Sequence, residues 1–315
     1  MVNKIKNIKE SILELLYQAG GDTLSGVRIS ETTGISRVAV WKHIKTMKQN
    51  GLPIDSTPNG YLLSNPDDLL LPFCFDPPVR DKILHFQEVE TTMDTAKALA
   101  RKGAPHLSCV VSEHQTKGRG RLNREWISSR GGLWFTLILR PLLPPHLIYI
   151  YNFAASLCLS RVLNRLFALD VSVKWPNDLL LGREKLAGML SEMETRGDMV
   201  QFLVIGIGIN VNNDPVNKEF KAVSLKNILK RNLSRKEILT AFLIEFEDQI
   251  QNINCPEIMA LWKKQTSTIG HRVRVETFDN IYEGTAIDVD ETGALIIEDD
   301  LQKRKKIIYG DCFHA

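Results

Sequence analysis

The run Val171-Ser172-Val173-Lys174-Trp175-Pro176-Asn177-Asp178 decides the fold. Val171–Lys174 reads as a strand, and a proline just beyond it forces a turn. Asn177 and Asp178 are therefore expected at the strand's mouth, where the sites of α/β domains collect. Outward from this run the chain alternates. Residues 107–112, 133–139 and 201–207 are strand-like, and residues 95–102, 148–167 and 235–250 are helix-like. Residues 80–268 thus read as a mixed α/β domain, large enough for a full core.

Ahead of this domain, Ile5, Ile8, Ile12, Leu15 and Leu16 recur at helical spacing. A second helix is expected over residues 25–32, a turn at Gly34, and a third helix capped by Ser36. Val40, Ile44 and Met47 make one inward stripe on that helix, with Arg37, Lys42, Lys45 and Lys48 off it. No acid lies between Glu31 and Asp55. Residues 52–56 and Tyr61-Leu62-Leu63 flank Pro58-Asn59-Gly60, and Asn-Gly between apolar runs signals a hairpin. The whole of residues 1–64 resembles a winged helix-turn-helix, whose second helix enters the major groove while the wing grips the backbone. Ser36, Arg37, Lys42 and Lys45 are the expected DNA contacts; the plainer reading is a solvated basic helix.

Ser64-Asn65-Pro66-Asp67-Asp68, with Pro72, Pro77 and Pro78, reads as a linker over residues 65–79. Past Thr268-Ile269-Gly270, short alternating runs at 273–275, 282–287, 294–297 and 306–309 predict a small SH3-like β-barrel over residues 269–315. The expected fold class is multi-domain α+β.

Composition sets outer bounds. The 315 residues are 43% hydrophobic and 24% charged, an ordinary globular balance that excludes wholesale disorder and collagen-like sequence. No apolar run reaches the roughly 18 residues of a membrane span, and the Lys/Ile-rich start has no signal-peptide core. Cys74, Cys109, Cys158, Cys255 and Cys312 are widely spaced without a C-x-x-C pair. They argue against a zinc site or disulfide framework and for a reduced cytoplasm.

Four segments carry chemistry. Gly118-Arg119-Gly120-Arg121-Leu122-Asn123-Arg124-Glu125-Trp126 brings Lys117, Arg119, Arg121, Arg124 and Arg130 against one nearby acid, Glu125. Guanidinium forks bind phosphate bidentately, and Trp126 suits a planar base. The two glycines let backbone approach a ligand, although no helix and distant acid complete a dinucleotide fingerprint. The second segment is the Lys174–Asp178 run with Lys185-Leu186-Ala187-Gly188. Taken singly, Asp178 reads as a turn residue and Lys185 as a surface lysine. The third, Gly206-Ile207-Gly208-Ile209-Asn210-Val211-Asn212, suits a phosphate or ribose contact. The fourth, Thr91-Thr92-Met93-Asp94-Thr95, offers hydroxyls and helix N-terminal N–H groups to a polar ligand.

In this order and spacing the four segments resemble the biotin–protein ligases, and with residues 1–64 attached the chain is similar to the bifunctional ligase and biotin-operon repressor form. The resemblance covers nearly the whole chain. It implies that Thr92, Met93, Asp94 and Gln115 hold the biotin ring. It places Arg119, Gly120, Arg121, Lys185 and Gly188 around biotin and its adenylate, and Arg121, Arg124, Trp126, Asn177, Gly206 and Asn210 at the nucleotide. Lys185, Asp178 and Arg121 are the implied catalytic residues. Asn123 stands where many members have glycine, and asparagine tolerates the left-handed region better than most residues. Met93 and Asp94 replace a threonine and an asparagine, and an ionised Asp94 cannot donate as an amide does.

The implied reaction joins biotin and ATP, with Mg²⁺, to biotinoyl-5'-AMP and then moves biotin to a lysine of a biotin carboxyl carrier protein. The implied partners are operator DNA and a second copy of the chain, the homodimer being promoted by biotinoyl-AMP, with no membrane. Two rivals are a lipoate-type protein ligase and a non-enzymatic metabolite-sensing repressor. The first differs in substrate, and the second needs neither Lys185 nor Asp178.

Overall fold

The computed structural model describes residues 8–64, 66–216, 221–251 and 253–314, without the side chains of Asp67 and Asn123. Ile5 lies outside the described residues. The chain divides into two compact units, Met1–Asp76 and Pro77–Ala315.

The first unit holds α1 (Ile8–Gln18), α2 (Gly26–Thr33), α3 (Arg37–Gln49) and a hairpin of β1 (Ile54–Thr57) and β2 (Gly60–Leu63). Ser25 and Ser36 cap α2 and α3 by accepting from the N–H groups of Arg28 and Ala39, each cap contributing about 1 kcal/mol. Gly34 ends α2 in the left-handed region, at φ 70°. Val40, Ile44 and Met47 are buried, with Ile12, Leu16 and Ile29. Leu24 and Tyr61 exchange both backbone hydrogen bonds, at 2.8 and 2.9 Å, an isolated antiparallel bridge that ties the segment before α2 to the hairpin. Gly60 is required there. Its φ is 143°, and a Cβ would lie 2.0 Å from the Leu24 carbonyl oxygen.

The segment expected as a linker is structured up to Asp76. Pro66–Asp68 and Pro72–Cys74 form single 3-10 turns. The Tyr17 hydroxyl donates to the Cys74 carbonyl at 3.3 Å, and the Phe73 ring meets Tyr17 edge-on. Leu69, Leu70, Leu71 and Phe75 are buried. The prolines fix turns, and the apolar residues between them need cover, so this stretch does not behave as a free connector.

The second unit is built on a seven-stranded sheet. Its strands are β3 (Ile83–Phe86), β4 (Ser108–Ser112), β5 (Leu133–Leu139), β6 (Val171–Lys174), β7 (Asp178–Leu181), β8 (Glu184–Arg196) and β9 (Met199–Ile209). They run in the order β3-β4-β5-β9-β8-β7-β6. Only β3 and β4 pair in parallel. The helices are α4 (Thr92–Arg101), α5 (Tyr149–Phe167), α6 (Leu225–Leu229), α7 (Arg235–Gln251) and α8 (Cys255–Gln265). All seven residues of β5 are buried. Residues 145–167 are long and apolar enough to cross a membrane by composition, but 72% of the most apolar 18-residue window in that stretch is buried within the protein. It packs on α7, α8 and β6 as a core helix. Burial alone would raise the pKa of Glu113, yet a hydrogen bond from His85 and the charge of Arg235 hold it at about 2. That ion pair, 2.7 Å long, ties α7 to the sheet.

The C-terminal part is a five-stranded antiparallel sheet of β10 (Arg272–Glu276), β11 (Ile281–Val289), β12 (Leu295–Glu298), β13 (Arg304–Ile307) and β14 (Asp311–His314). The order is β13-β12-β11-β10-β14. Of these, β14 has no counterpart in the sequence reading. Its four residues are too few for periodicity to register, and their place is set by pairing with β10.

Candidate active site

One cavity of about 500 Å³ in the second unit gathers residues from all four sequence segments and from the C-terminal sheet. The Lys174–Asp178 run is a hairpin: β6 ends at Lys174, Asp178 opens β7 directly opposite, and Trp175-Pro176-Asn177 connect them. Trp175 is buried, and its indole N–H donates to the Gly293 carbonyl. This pins the turn against the C-terminal sheet. The Asn177 side-chain amide donates to the Met189 carbonyl.

Asp178 pairs with Gly188 on β8. The Lys185 ammonium reaches the Asp178 carboxylate at 2.7 Å and lies over the Trp126 ring, 5.2 Å from its centre. A Cβ on Gly188 would come within 3.1 Å of Trp126 and 3.2 Å of Lys185. The glycine therefore makes room for the ion pair and the indole together.

The floor follows the same rule. A Cβ on Gly206 would lie 2.6 Å from the Met93 sulfur, and one on Gly208 2.5 Å from the Trp126 indole nitrogen. Two glycines on one face of β9 admit a thioether and an indole where side chains would stand. The buried Trp126 N–H has no hydrogen-bond partner among the described residues. Beside this floor runs a polar relay. Thr136 donates to Thr92 at 2.8 Å, Thr92 donates through its N–H and hydroxyl to the Gln115 amide oxygen, and the Gln115 amide donates to Ser128 at 2.7 Å.

The arginine loop departs from expectation. The sequence shows one acid near its cations, but the fold supplies others from a distance. Arg119 makes a bidentate pair with Asp94, at 2.9 and 3.0 Å, and a further bond to Glu192. Arg121 donates to the Gly310 carbonyl, and Arg124 pairs with Asp311 at 2.8 Å. Lys117 pairs with Glu90. The loop is thus fastened to α4, β8 and β14. Leu122 takes the left-handed conformation, at φ 53°.

Two of the expected residues lie off the cavity lining. Asp94 lies outside the cavity lining, with its carboxylate committed to Arg119 and Lys97. Burial works to raise its pKa, but Lys97 and Arg119 prevail and lower it, so it stays ionised. Asn210 also lies outside the lining. It is buried, and its side-chain oxygen accepts from Asn213 at 3.0 Å. The chain turns just after β9, and this asparagine pair satisfies the turn's polar groups. Thr92, Met93, Gln115, Arg119, Gly120, Arg121, Arg124, Trp126, Asn177, Asp178, Lys185, Gly188 and Gly206 all line the cavity. Sequence reading missed His271, Asp311 and His314, which reach the cavity only through the C-terminal sheet.

In the first unit, Ser36, Arg37, Lys42 and Lys45 are all exposed on α3. Val38 and Trp41 are exposed beside them, at 64% and 50%, with the Lys45 ammonium 5.1 Å from the Trp41 ring centre.

Comparison with known proteins agrees with this geometry. Residues 84–210 match the Biotin/lipoate A/B protein ligase family, residues 9–62 an HTH domain, and residues 268–315 the Biotin protein ligase C terminal domain. The chain is 33% identical to the bifunctional ligase/repressor BirA of Bacillus subtilis over 92% of this chain and 94% of that one. The chain belongs to the biotin protein ligase family. It is 29% identical to BirA of Escherichia coli, covering 90% of each. The structure of the Aquifex aeolicus biotin protein ligase in complex with biotin and ATP superposes with a TM-score of 0.64 at 26% identity. It covers 74% of this chain and 98% of that one.

The Gly208→Ala substitution should push Trp126 off the cavity floor. Affinity for an adenine nucleotide, read by calorimetry, should fall about tenfold, the scale of one lost aromatic stacking contact. An unchanged affinity would remove Trp126 from the base site.

Proposed function

We propose that the chain is a biotin–protein ligase that forms biotinoyl-5'-AMP from biotin and ATP and passes biotin to a lysine of a biotin carboxyl carrier protein. Its N-terminal unit binds operator DNA and represses biotin-synthesis genes, with the adenylate as corepressor of a homodimer. The observation that carries the ligase reading is the meeting of the arginine loop, the Lys185–Asp178 pair and the Trp126 floor in one cavity.

The first step joins two anions. The biotin carboxylate attacks the α-phosphorus, and the bond to the bridging oxygen of pyrophosphate breaks. Cations fixed at the developing charge lower that barrier. Lys185 and Arg121 serve there, with Arg124 beside them. The Thr92–Gln115 relay presents a hydroxyl and an amide to the ureido ring, and Met93 and Gly206 make an apolar slot for the rest of biotin. Mg²⁺ arrives on the triphosphate. Among the described residues no cluster of His, Cys, Asp and Glu is arranged to hold a metal.

The second step needs a free amine. A lysine has an ordinary pKa near 10.4, so at pH 7 roughly one in two thousand is unprotonated. Asp178 orients the incoming lysine and takes its proton as the amine bonds to the anhydride carbonyl carbon, whose bond to the phosphate oxygen breaks and releases AMP. The mixed anhydride hydrolyses readily, so an arginine loop closed over it serves to exclude water. A cytoplasmic location follows from these substrates and partners.

Repression rests on α3. One unit reads one half-site, and two on a two-fold axis read a palindrome. The adenylate promotes that dimer only by binding it more tightly than the monomer.

The Lys185→Ala substitution should lower biotin-dependent ATP–pyrophosphate exchange by about a hundred- to thousandfold, the typical effect of losing one such charge, with an unchanged circular dichroism spectrum. Near-wild-type exchange would remove Lys185 from the chemistry.

On DNA, a mobility shift with a fragment upstream of biotin-synthesis genes should tighten when biotin and ATP are added. Lys42→Ala with Lys45→Ala removes up to four phosphate contacts from the dimer and should flatten the salt dependence by a slope of about 4. Equal affinity with and without the ligands would reject the effector link.

A further inference from the structure

Helix α3 carries two apolar side chains that the packing of its own unit does not explain. Val38, Trp41, Lys42 and Lys45 fall at i, i+3, i+4 and i+7, which puts them on one stripe. That stripe lies opposite the buried Val40, Ile44 and Met47. Lysines belong in water, but Val38 is 64% exposed and Trp41 50%. Helix propensity does not account for them either, because valine and tryptophan both form helix less readily than alanine.

The surroundings say what covers the stripe. No acid lies between Glu31 and Asp55, while Arg37, Lys42, Lys45 and Lys48 are exposed on the same helix. Apolar groups ringed by cations suit a polyanion that has apolar groups set inside it. The major groove of DNA is such a surface, with phosphates along its edges and thymine methyls on its floor. Val38 and Trp41 lie in the first half of α3, the end of a recognition helix that meets base edges. The Lys45 ammonium lies 5.1 Å from the Trp41 ring centre. Helical side chains lean towards the N-terminus, so Lys45 reaches back over the ring and holds it in place before a partner arrives. A second copy seated on this stripe about a two-fold axis would bring the same lysines together, which charge opposes.

We infer that Val38 and Trp41 read thymine in the major groove, packing on its 5-methyl group, and so choose the operator sequence. This inference rests on the repressor reading and extends it from charge to sequence. Lysines on phosphate carry no sequence information, so the choice needs side chains that touch bases. Thymine carries its methyl beside the O4 acceptor, whereas cytosine presents an N4 donor. An indole has one N–H donor and no acceptor. A Trp41 ring laid on the methyl therefore finds an acceptor beside it at thymine and a donor at cytosine.

The test uses the full chain with biotin and ATP and a fragment upstream of biotin-synthesis genes, made with thymine or with deoxyuridine in its place. Deoxyuridine keeps O4 and lacks only the methyl. Affinities are read by mobility shift at fixed salt for wild type, the Val38→Ala, Trp41→Ala double variant and Lys42→Ala. Wild type should bind the deoxyuridine fragment about tenfold more weakly, the scale of one mismatched base pair. The double variant should bind the thymine fragment more weakly by a similar factor and no longer distinguish the two. Lys42→Ala should weaken binding to both equally. Binding to random-sequence DNA at low salt, which needs only the cations, checks that the variant unit is folded. Equal wild-type affinity for the two fragments, or a double variant that still prefers thymine, would overturn the methyl reading and leave DNA binding standing. Weaker self-association of the double variant without DNA, read by sedimentation, would also overturn it and give the stripe to a second copy. Wild type that binds neither fragment more tightly than random DNA would overturn the repressor reading and this inference with it.

Discussion

Eight lysine and arginine side chains line one cavity against three carboxylates, and the ligase unit is organised around holding them there. Two unit charges 4 Å apart repel by about 4 kcal/mol at an effective dielectric near 20, so such a lining needs carboxylates within it or beside it. Asp94 and Glu192 take up Arg119, Asp311 takes up Arg124, and Asp178 takes up Lys185. These acids come from α4, β8, β14 and β7. The arrangement therefore joins elements far apart in the chain. It leaves a cavity whose cations are placed before the ligand arrives, which is what stabilising charge in a transition state requires.

The second constraint is space. A sheet face normally carries a side chain at every second residue. Gly188, Gly206 and Gly208 remove three of them where Trp126 and Met93 lie across the strands. The aromatic and thioether groups give the cavity an apolar floor beneath a cationic wall. A substrate with an apolar body and an anionic end, joined to a nucleotide, matches both. The same glycines bring Trp126 within 5.2 Å of the Lys185 ammonium, so the indole and this cation are one packed group.

Much of this was legible in the sequence because the decisive segments are local. Val171–Lys174, Leu133–Leu139 and the Ser36 cap follow from short patterns, and the hairpin at Asn59-Gly60 from turn chemistry. The arginine loop, the Lys174–Asp178 run and Lys185 were found because their residue types and order are specific. What the sequence hid is long-range. No spacing shows that Asp94 faces Arg119, 25 residues away, or that Asp311 faces Arg124. Nor does any spacing show that Asn210, which follows two glycines, accepts from Asn213 in the turn after β9. His271 and His314 lie in a part of the chain with no motif. They reach the cavity only because β10 and β14 pair with each other. The stretch around Pro72 looked like a linker because proline breaks long helices, although it equally well starts short turns.

The central claim is that this cavity makes and keeps an acyl-adenylate. The most direct measurement is native mass spectrometry of the full chain after incubation with biotin and ATP and removal of free ligand. The account predicts a mass increase of one biotinoyl-5'-AMP per chain, lost again when a biotin carboxyl carrier protein is added. Protein that emerges unliganded, or that retains biotin and intact ATP side by side, would contradict it.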